Sequence, residues 1–351
     1  MKALRLHRAN QAIVDEIDEP TVRPGTVKVK IAAAGICGTD LFLYEHAPIL
    51  SDSVHPLLGD RGPHTMGHEM AGHVVEVAPD VENVEVGDLV AVFPMVVDGT
   101  CTACRRGEEN LCEKRGFLGI DGGGGGFSEY VVVAASQAYA VKAPFTAEIA
   151  ALVEPLSTCW HAVRTSSPKE NDVALIIGAG PIGLGLLLCL RAIGVQTVLV
   201  SEPSASRRTL ARQLGAETVD PTTESLATAV AHHSDRRGAG VTFETSGRGS
   251  LIVQDAISGL RPGGTLVVIA EFAEPVEIDL QDMVLSGKRI ECISAYTRED
   301  FAGVISAIQD GRLDASSLIT SRIGLDDALR QGIEKLLRDG RNEEVKILVT
   351  P

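Results

Sequence analysis

Positive charge is in short supply in this chain. Lys and Arg number 32 against 47 Asp and Glu, for a net charge of −15 over 351 residues. Nucleic acids and anionic membrane surfaces both recruit clustered positive charge, so this balance argues against either as a partner. The first residues, Met1-Lys2-Ala3-Leu4-Arg5-Leu6-His7-Arg8, lack the apolar core of a secretory signal. A membrane-spanning run is missing too. One uncharged stretch, Ala174 to Leu190, is slightly short and is broken by a Gly-Ala-Gly-Pro turn. There is no internal repeat, low-complexity tail or long linker. The seven cysteines are an odd number. With no export signal, that suits reduced thiols and metal ligands in the cytoplasm better than disulfides.

What is present is apolar sequence, 44% of the chain, in two patterns. The length predicts roughly two domains. Up to about residue 150, short alternating runs such as Val27-Lys28-Val29-Lys30-Ile31, His73 to Val77 and Leu89 to Val92 are punctuated by Gly and Pro. They predict a small antiparallel barrel. From about 153, strands alternate with helices: Asp172–Ile177, Pro181–Ile193, Thr197–Ser201, Ser204–Leu214, Val241–Glu244, Ser250–Leu260 and Thr265–Ala270. That order predicts a doubly wound parallel sheet, an α/β domain. Two helices follow, one carrying Phe301, Val304, Ile305 and Ile308, the other Leu329, Ile333, Leu336 and Leu337 before Gly340. Val345 to Val349 closes the chain as a strand. The expected division is 1–152 with 291–351, and 153–290.

The chemistry gathers first at Gly67-His68-Glu69, with the lone thiol Cys37 thirty-one residues earlier in Gly35-Ile36-Cys37-Gly38-Thr39-Asp40. Glu154 follows in Val153-Glu154-Pro155-Leu156. A thiolate, an imidazole and one or two carboxylates form a set that zinc accepts with one position left open. The spacing alone is not diagnostic, and an isolated His-Glu pair also reads as a surface hydrogen bond. The turn-rich insert from His46 to Pro63 is expected to loop near this metal, because it joins Cys37 to His68. The five glycines 122–126 read as a flexible loop before a strand, or as close backbone approach to a ligand or the other domain.

Gly178-Ala179-Gly180-Pro181-Ile182-Gly183 fits G-x-G-x-x-G between an apolar strand and an apolar helix. That context marks a dinucleotide turn, with pyrophosphate at the helix N-terminus. Glu202, nineteen residues beyond Gly183, stands where a carboxylate accepts the adenine ribose hydroxyls and repels a 2′-phosphate. NAD is therefore expected over NADP. Arg207 is counted with the cofactor residues; for Arg207 and Arg208 alike, a solvated helix face is the ordinary reading. Cys101-x2-Cys104-x7-Cys112 lies on a charged, Gly-containing loop and reads as a structural zinc site. Cys159, Cys189 and Cys292 read as core, and so does His161. His232 and His233 read as surface.

Taken together, these motifs resemble the zinc-dependent medium-chain alcohol dehydrogenases over essentially the whole length. The resemblance is greatest to the polyol and 2,3-butanediol branch. It is carried there by the insert with His55-Pro56-Leu57-Leu58-Gly59-Asp60, by Gly116-Phe117-Leu118-Gly119 leading into the glycine run, and by Glu154-Pro155-Leu156. It implies a GroES-like β-barrel catalytic domain beside a Rossmann domain, and Cys37, His68 and Glu154 as ligands of a catalytic zinc. Glu69 would be an alternate ligand or a neighbour of the ligands. It further implies hydride transfer between NAD and a secondary alcohol or ketone, with Thr39 taking the hydroxyl proton. A vicinal diol or acyloin is the expected substrate; a sugar alcohol, L-threonine or an aminocyclitol is the alternative within the family. A non-catalytic NAD sensor is the alternative outside it. A homodimer or homotetramer is implied. Two positions depart from the family pattern. Asp98 stands where the lobe has its first cysteine, leaving an Asp98-Cys101-Cys104-Cys112 set, and Phe42 stands where many members carry a relay histidine.

Overall fold

The computed structural model describes residues 1–47, 54–59, 62–338 and 343–351. They fall into two units. One comprises Met1–Glu154, Thr297–Gln309 and Ala315–Pro351; the other comprises Pro155–Tyr296 and Asp310–Asp314.

In the first unit the alternating run around Val27 forms the strand Thr26–Gly35, the hub of a largely antiparallel seven-stranded sheet. Val27, Val29 and Ile31 enter the core with Met70, Val74, Val131 and Val349. Burying such side chains is worth about 1.5–3 kcal/mol each, so a one-residue slip of this strand would forfeit several at once. The same register places the first motif among its neighbours. Gly35 lies opposite both Glu69 of Glu69–Val77 and Leu348 of Lys346–Thr350. The last strand of the chain thus runs beside the site of that motif. A three-stranded sheet of Gln11–Glu16, Lys2–Arg8 and His64–Thr65 leads directly into Gly67-His68. The ladder Met95–Val96 with Gly116–Phe117 closes the base of the cysteine loop.

The second unit holds a six-stranded parallel sheet. Its order is Glu217–Val219, Thr197–Ser201, Val173–Ile177, Ala239–Glu244, Leu260–Val268 and Arg289–Cys292. All five residues of Val173–Ile177 are buried, as a parallel strand covered on both faces requires. The order reverses between Val173–Ile177 and Ala239–Glu244, the switch point at which such sheets take ligands.

Several expectations change. The run at Leu329 and Ile333 winds as a π-helix, Ala328–Ile333, before the α-helix Glu334–Arg338. Gly340 lies outside the described residues. Cys292 is exposed, whereas Cys159 and Cys189 are core. The exposure follows from its place on the last strand of the parallel sheet, which has a neighbour on one side only among the described residues. His161 is buried and His232 exposed, as expected. Among the described residues no helix is long and apolar enough to cross a membrane.

Candidate active site

Cys37 caps the helix Gly38–His46. Its extended backbone is held by the Asp40 carboxylate, whose Oδ2 accepts the Cys37 N–H at 2.8 Å. The other Asp40 oxygen lies 3.8 Å from His68 Nδ1. Both groups are buried, and neither atom has a hydrogen-bond partner among the described residues. Burial pushes the Asp40 carboxyl up to about 6. Burial disfavours a charged His68, but Cys37, Asp40 and Glu154 together carry its pKa well above the ordinary imidazole value. Thr39 Oγ1 stands 3.7 Å from Cys37 Sγ.

Glu69 is fully buried, and both its oxygens accept from Lys346 Nζ, at 2.6 and 2.7 Å. The same ammonium donates to Ile36 O at 3.1 Å. A side chain at Gly35 would collide with the Glu69 carboxylate. Sequence reasoning missed Lys346. Its signal was a single cation inside the apolar run Val345–Val349.

Donor atoms of Cys37, His68 and Glu69 lie within 4.8 Å of one another. A thiol, an imidazole and a carboxylate at that spacing fit a zinc ion. Glu154 is buried and acts electrostatically on both His68 and Lys346, but it is not part of that close group. The second set, Asp98, Cys101, Cys104 and Cys112, also converges within 4.8 Å. Backbone N–H groups already serve it. Thr100 and Cys101 donate to Asp98 Oδ1, Cys104 to Cys101 Sγ and Asp98 to Cys112 Sγ. Four donors held this way fit a structural zinc, with aspartate oxygen in place of one sulfur. Protein freed of loose metal should therefore carry close to two zinc ions per chain, falling by one in Cys104→Ser. Elemental analysis decides it; one ion per chain, unchanged by that substitution, would mean an empty lobe.

Gly178 adopts φ +102°, and a side chain at Gly183 would overlap Gly178 O. Pro181 opens the helix Pro181–Ala192. The Glu202 carboxylate is buried and accepts the Ala179 and Ser204 N–H groups, both at 2.8 Å. Glu202 thus braces the dinucleotide turn itself. Arg208 is not a solvated side chain. It donates to Glu202 O at 2.6 Å and pairs with Asp220 at 2.8 Å. Arg207 Nη1 lies beside Gly180, 4.0 Å from where a Cβ would stand.

The glycine run is not a free loop. Gly126 N donates to Gly67 O at 2.6 Å and Phe127 N to Met66 O at 2.9 Å, so the run lies against the segment that carries His68. Of the His46–Pro63 insert, 54–59 docks on the same stretch. His55 Nδ1 accepts the Leu57 and Leu58 N–H groups, its Nε2 lies 3.3 Å from Arg115 O, and Leu58 faces Gly123. Residues 48–53, 60 and 61, including Asp60, lie outside the described residues.

An alcohol dehydrogenase GroES-like domain model matches residues 23–144, and a zinc-binding dehydrogenase model matches 181–310. The chain belongs to the zinc-binding alcohol dehydrogenases. It is an oxidoreductase that uses zinc and NAD to move hydride between an alcohol and a carbonyl compound. Within the family it is 39% identical to (R,R)-butanediol dehydrogenase of Bacillus subtilis over the whole of both chains. To L-threonine 3-dehydrogenase of Pyrococcus furiosus it is 34% identical, over 95% of this chain and 94% of the other. The crystal structure of 2R,3R-butanediol dehydrogenase from Bacillus subtilis superposes with a TM-score of 0.93 at 37% identity, covering 100% and 99% of the two chains.

Proposed function

We propose that the chain interconverts a vicinal secondary diol and the matching acyloin, of the 2,3-butanediol and acetoin type. The supporting observation is full-length similarity to butanediol dehydrogenases in both sequence and fold. L-threonine is the second reading, favoured by the threonine dehydrogenase relatives. A screen of the purified protein against 2,3-butanediol stereoisomers, acetoin, sorbitol and L-threonine separates them. Turnover on threonine alone would sink the diol reading.

In this reading Cys37 and His68 ligate the catalytic zinc, with Glu154 or Glu69 as the carboxylate. Zinc bound there polarises the substrate oxygen and lowers the pKa of its hydroxyl. The chain's own groups do the rest. The Asp40 carboxyl faces His68 Nδ1 at 3.8 Å, leaving the other ring nitrogen for the metal. Lys346 holds the Glu69 carboxylate by two hydrogen bonds and so limits its reach toward the ligand position. Thr39 Oγ1 accepts the hydroxyl proton while its own proton passes to solvent water, so that Thr39 relays the proton and stays neutral. Asp98, Cys101, Cys104 and Cys112 hold the second ion.

Gly178, Gly180, Pro181, Ile182 and Gly183 receive the pyrophosphate, with Arg207 beside them. Glu202 sets the choice of NAD. A 2′-phosphate would bring negative charge against a buried carboxylate. Glu202→Ala is expected to raise the NADP/NAD efficiency ratio at least tenfold, and also to weaken both cofactors, because the Ala179 N–H loses its acceptor. Equal use of both cofactors by the unaltered protein would remove the assignment.

A second copy of this chain is the proposed partner, acting in the cytoplasm, where the seven free thiols stay reduced. Arg289–Cys292 ends its sheet with one edge unpaired among the described residues, and Leu280, Val284 and Leu285 stand exposed on Leu280–Ser286. Such an edge pairs readily with its own copy across a two-fold axis. Val284→Glu with Leu285→Glu should give a monomer by light scattering; an unchanged oligomer would place the interface elsewhere.

A further inference from the structure

We infer that Gly119, Gly125 and Gly126 are positioning residues for His68: their bare backbone forms a cradle that seats Thr65-Met66-Gly67 and so fixes where the imidazole stands. The inference rests on the reading of Cys37 and His68 as metal ligands.

Its basis is how closely two backbones meet. A Cβ on Gly125 would stand 2.7 Å from Thr65 O and closer still to Met66 O. One on Gly119 would overlap Gly67 O and come within 2.9 Å of His68 N. One on Gly126 would meet Met70 Cβ at 2.7 Å and Ala34 Cβ at 2.9 Å. The approach is reciprocal, since a Cβ on Gly67 would lie 2.9 Å from Phe127 N. Two backbone hydrogen bonds, from Gly126 N and Phe127 N, tie the segments together. Asp40 does little of this work. His68 Nδ1 has no hydrogen-bond partner among the described residues, and Asp40 is 3.8 Å away, beyond hydrogen-bond length. With no hydrogen bond to Nδ1, the backbone at 65–68 sets where the ring stands.

The run also divides into two kinds of glycine. Gly123 and Gly124 have φ of +72° and +92°, and a Cβ on either would meet side chains only: Leu118 and Leu58, or Val131. They are turn glycines. Gly125 and Gly126 have no positive φ and are needed for what they lack, a side chain. A flexible-turn role and a cradle role therefore predict opposite rankings of two neighbouring substitutions.

The experiment is metal content and the cobalt-exchanged spectrum of Gly125→Ala, Gly124→Ala and Cys37→Ser. The cradle requires Gly125→Ala to lose about one of two metal equivalents, together with the spectral component that Cys37→Ser abolishes. Gly124→Ala should keep both despite its backbone strain. Retention of both equivalents and an unaltered spectrum in Gly125→Ala overturns the inference, as does an equal loss in Gly124→Ala. If Cys37→Ser itself retains both equivalents, the ligand reading fails and the inference with it. Loss in Cys37→Ser but not in Gly125→Ala condemns the cradle alone. Should Gly125→Ala not fold, amide exchange on the unaltered protein takes its place. Emptying the catalytic site with a chelator should speed exchange at Gly126 and Phe127 by roughly tenfold or more, since whatever binds the seated loop also stabilises its seat. Unchanged exchange there overturns the inference.

Discussion

Lys346→Met should destabilise the folded chain by about 3–5 kcal/mol. Glu69 and Lys346 are both buried, and the pair is bidentate. Removing the ammonium strands a carboxylate with no water to solvate it. Gly35, packed against the Glu69 carboxylate, offers no donor side chain in replacement. The loss comes from the uncompensated charge rather than from the pair's net worth, which desolvation largely cancels. Glu69→Gln with Lys346→Met should therefore recover much of the stability lost by Lys346→Met alone. The midpoint of urea unfolding, measured with metal-loaded protein, reads both. A single substitution costing under about 1 kcal/mol would mean that Glu69 has another partner, with the bound metal the first suspect.

Thr39→Val is expected to lower turnover by about 10²-fold or more, the usual worth of a positioned proton acceptor. Valine keeps the shape of threonine and removes its hydroxyl. The alternative acceptors are poorly placed. Phe42 can take no proton. It is exposed and stacks on the His46 ring at a centroid distance of 4.6 Å. His46 Nδ1 lies 3.1 Å from Phe42 O, and the side chain is exposed, so its imidazole is engaged on its own helix. His46→Gln should change turnover little, and Thr39→Ser should restore much of what Thr39→Val loses. Loss of activity in His46→Gln, with recovery on added imidazole, would transfer the relay from Thr39 to His46.

The parts of the site that were legible in sequence are those whose geometry is local. Gly178 to Gly183 lies between its strand and its helix, Glu202 closes the next strand, and Asp98 to Cys112 folds back within one loop. Lys346 escaped notice because its partner Glu69 is 277 residues away, and only the register of the closing strand brings them together. The glycine run carries no sequence mark separating a turn from a seat for another backbone; that difference appears only once Thr65–Gly67 is packed against it. Cys292 looked internal beside Ile290 and Ile293, but Arg289 and Glu291 share its strand, which is at the sheet edge among the described residues and leaves Cys292 exposed. Arg208 looked solvated because nothing in the helix pattern reveals Asp220, which waits beyond the helix's end. The terminal helix kept its apolar positions but not its period, which widens to a π-turn at Ala328–Ile333.

The most direct measurement is formation of the reduced cofactor, monitored by its absorbance, when purified protein is given NAD and (2R,3R)-2,3-butanediol. Steady turnover is expected. It should fall at least 10²-fold when the metal is stripped by a chelator, return when zinc is restored, and be absent in Cys37→Ser. Turnover that persists without metal, or survives Cys37→Ser unchanged, would contradict the assignment of Cys37 and His68 as the centre of the reaction.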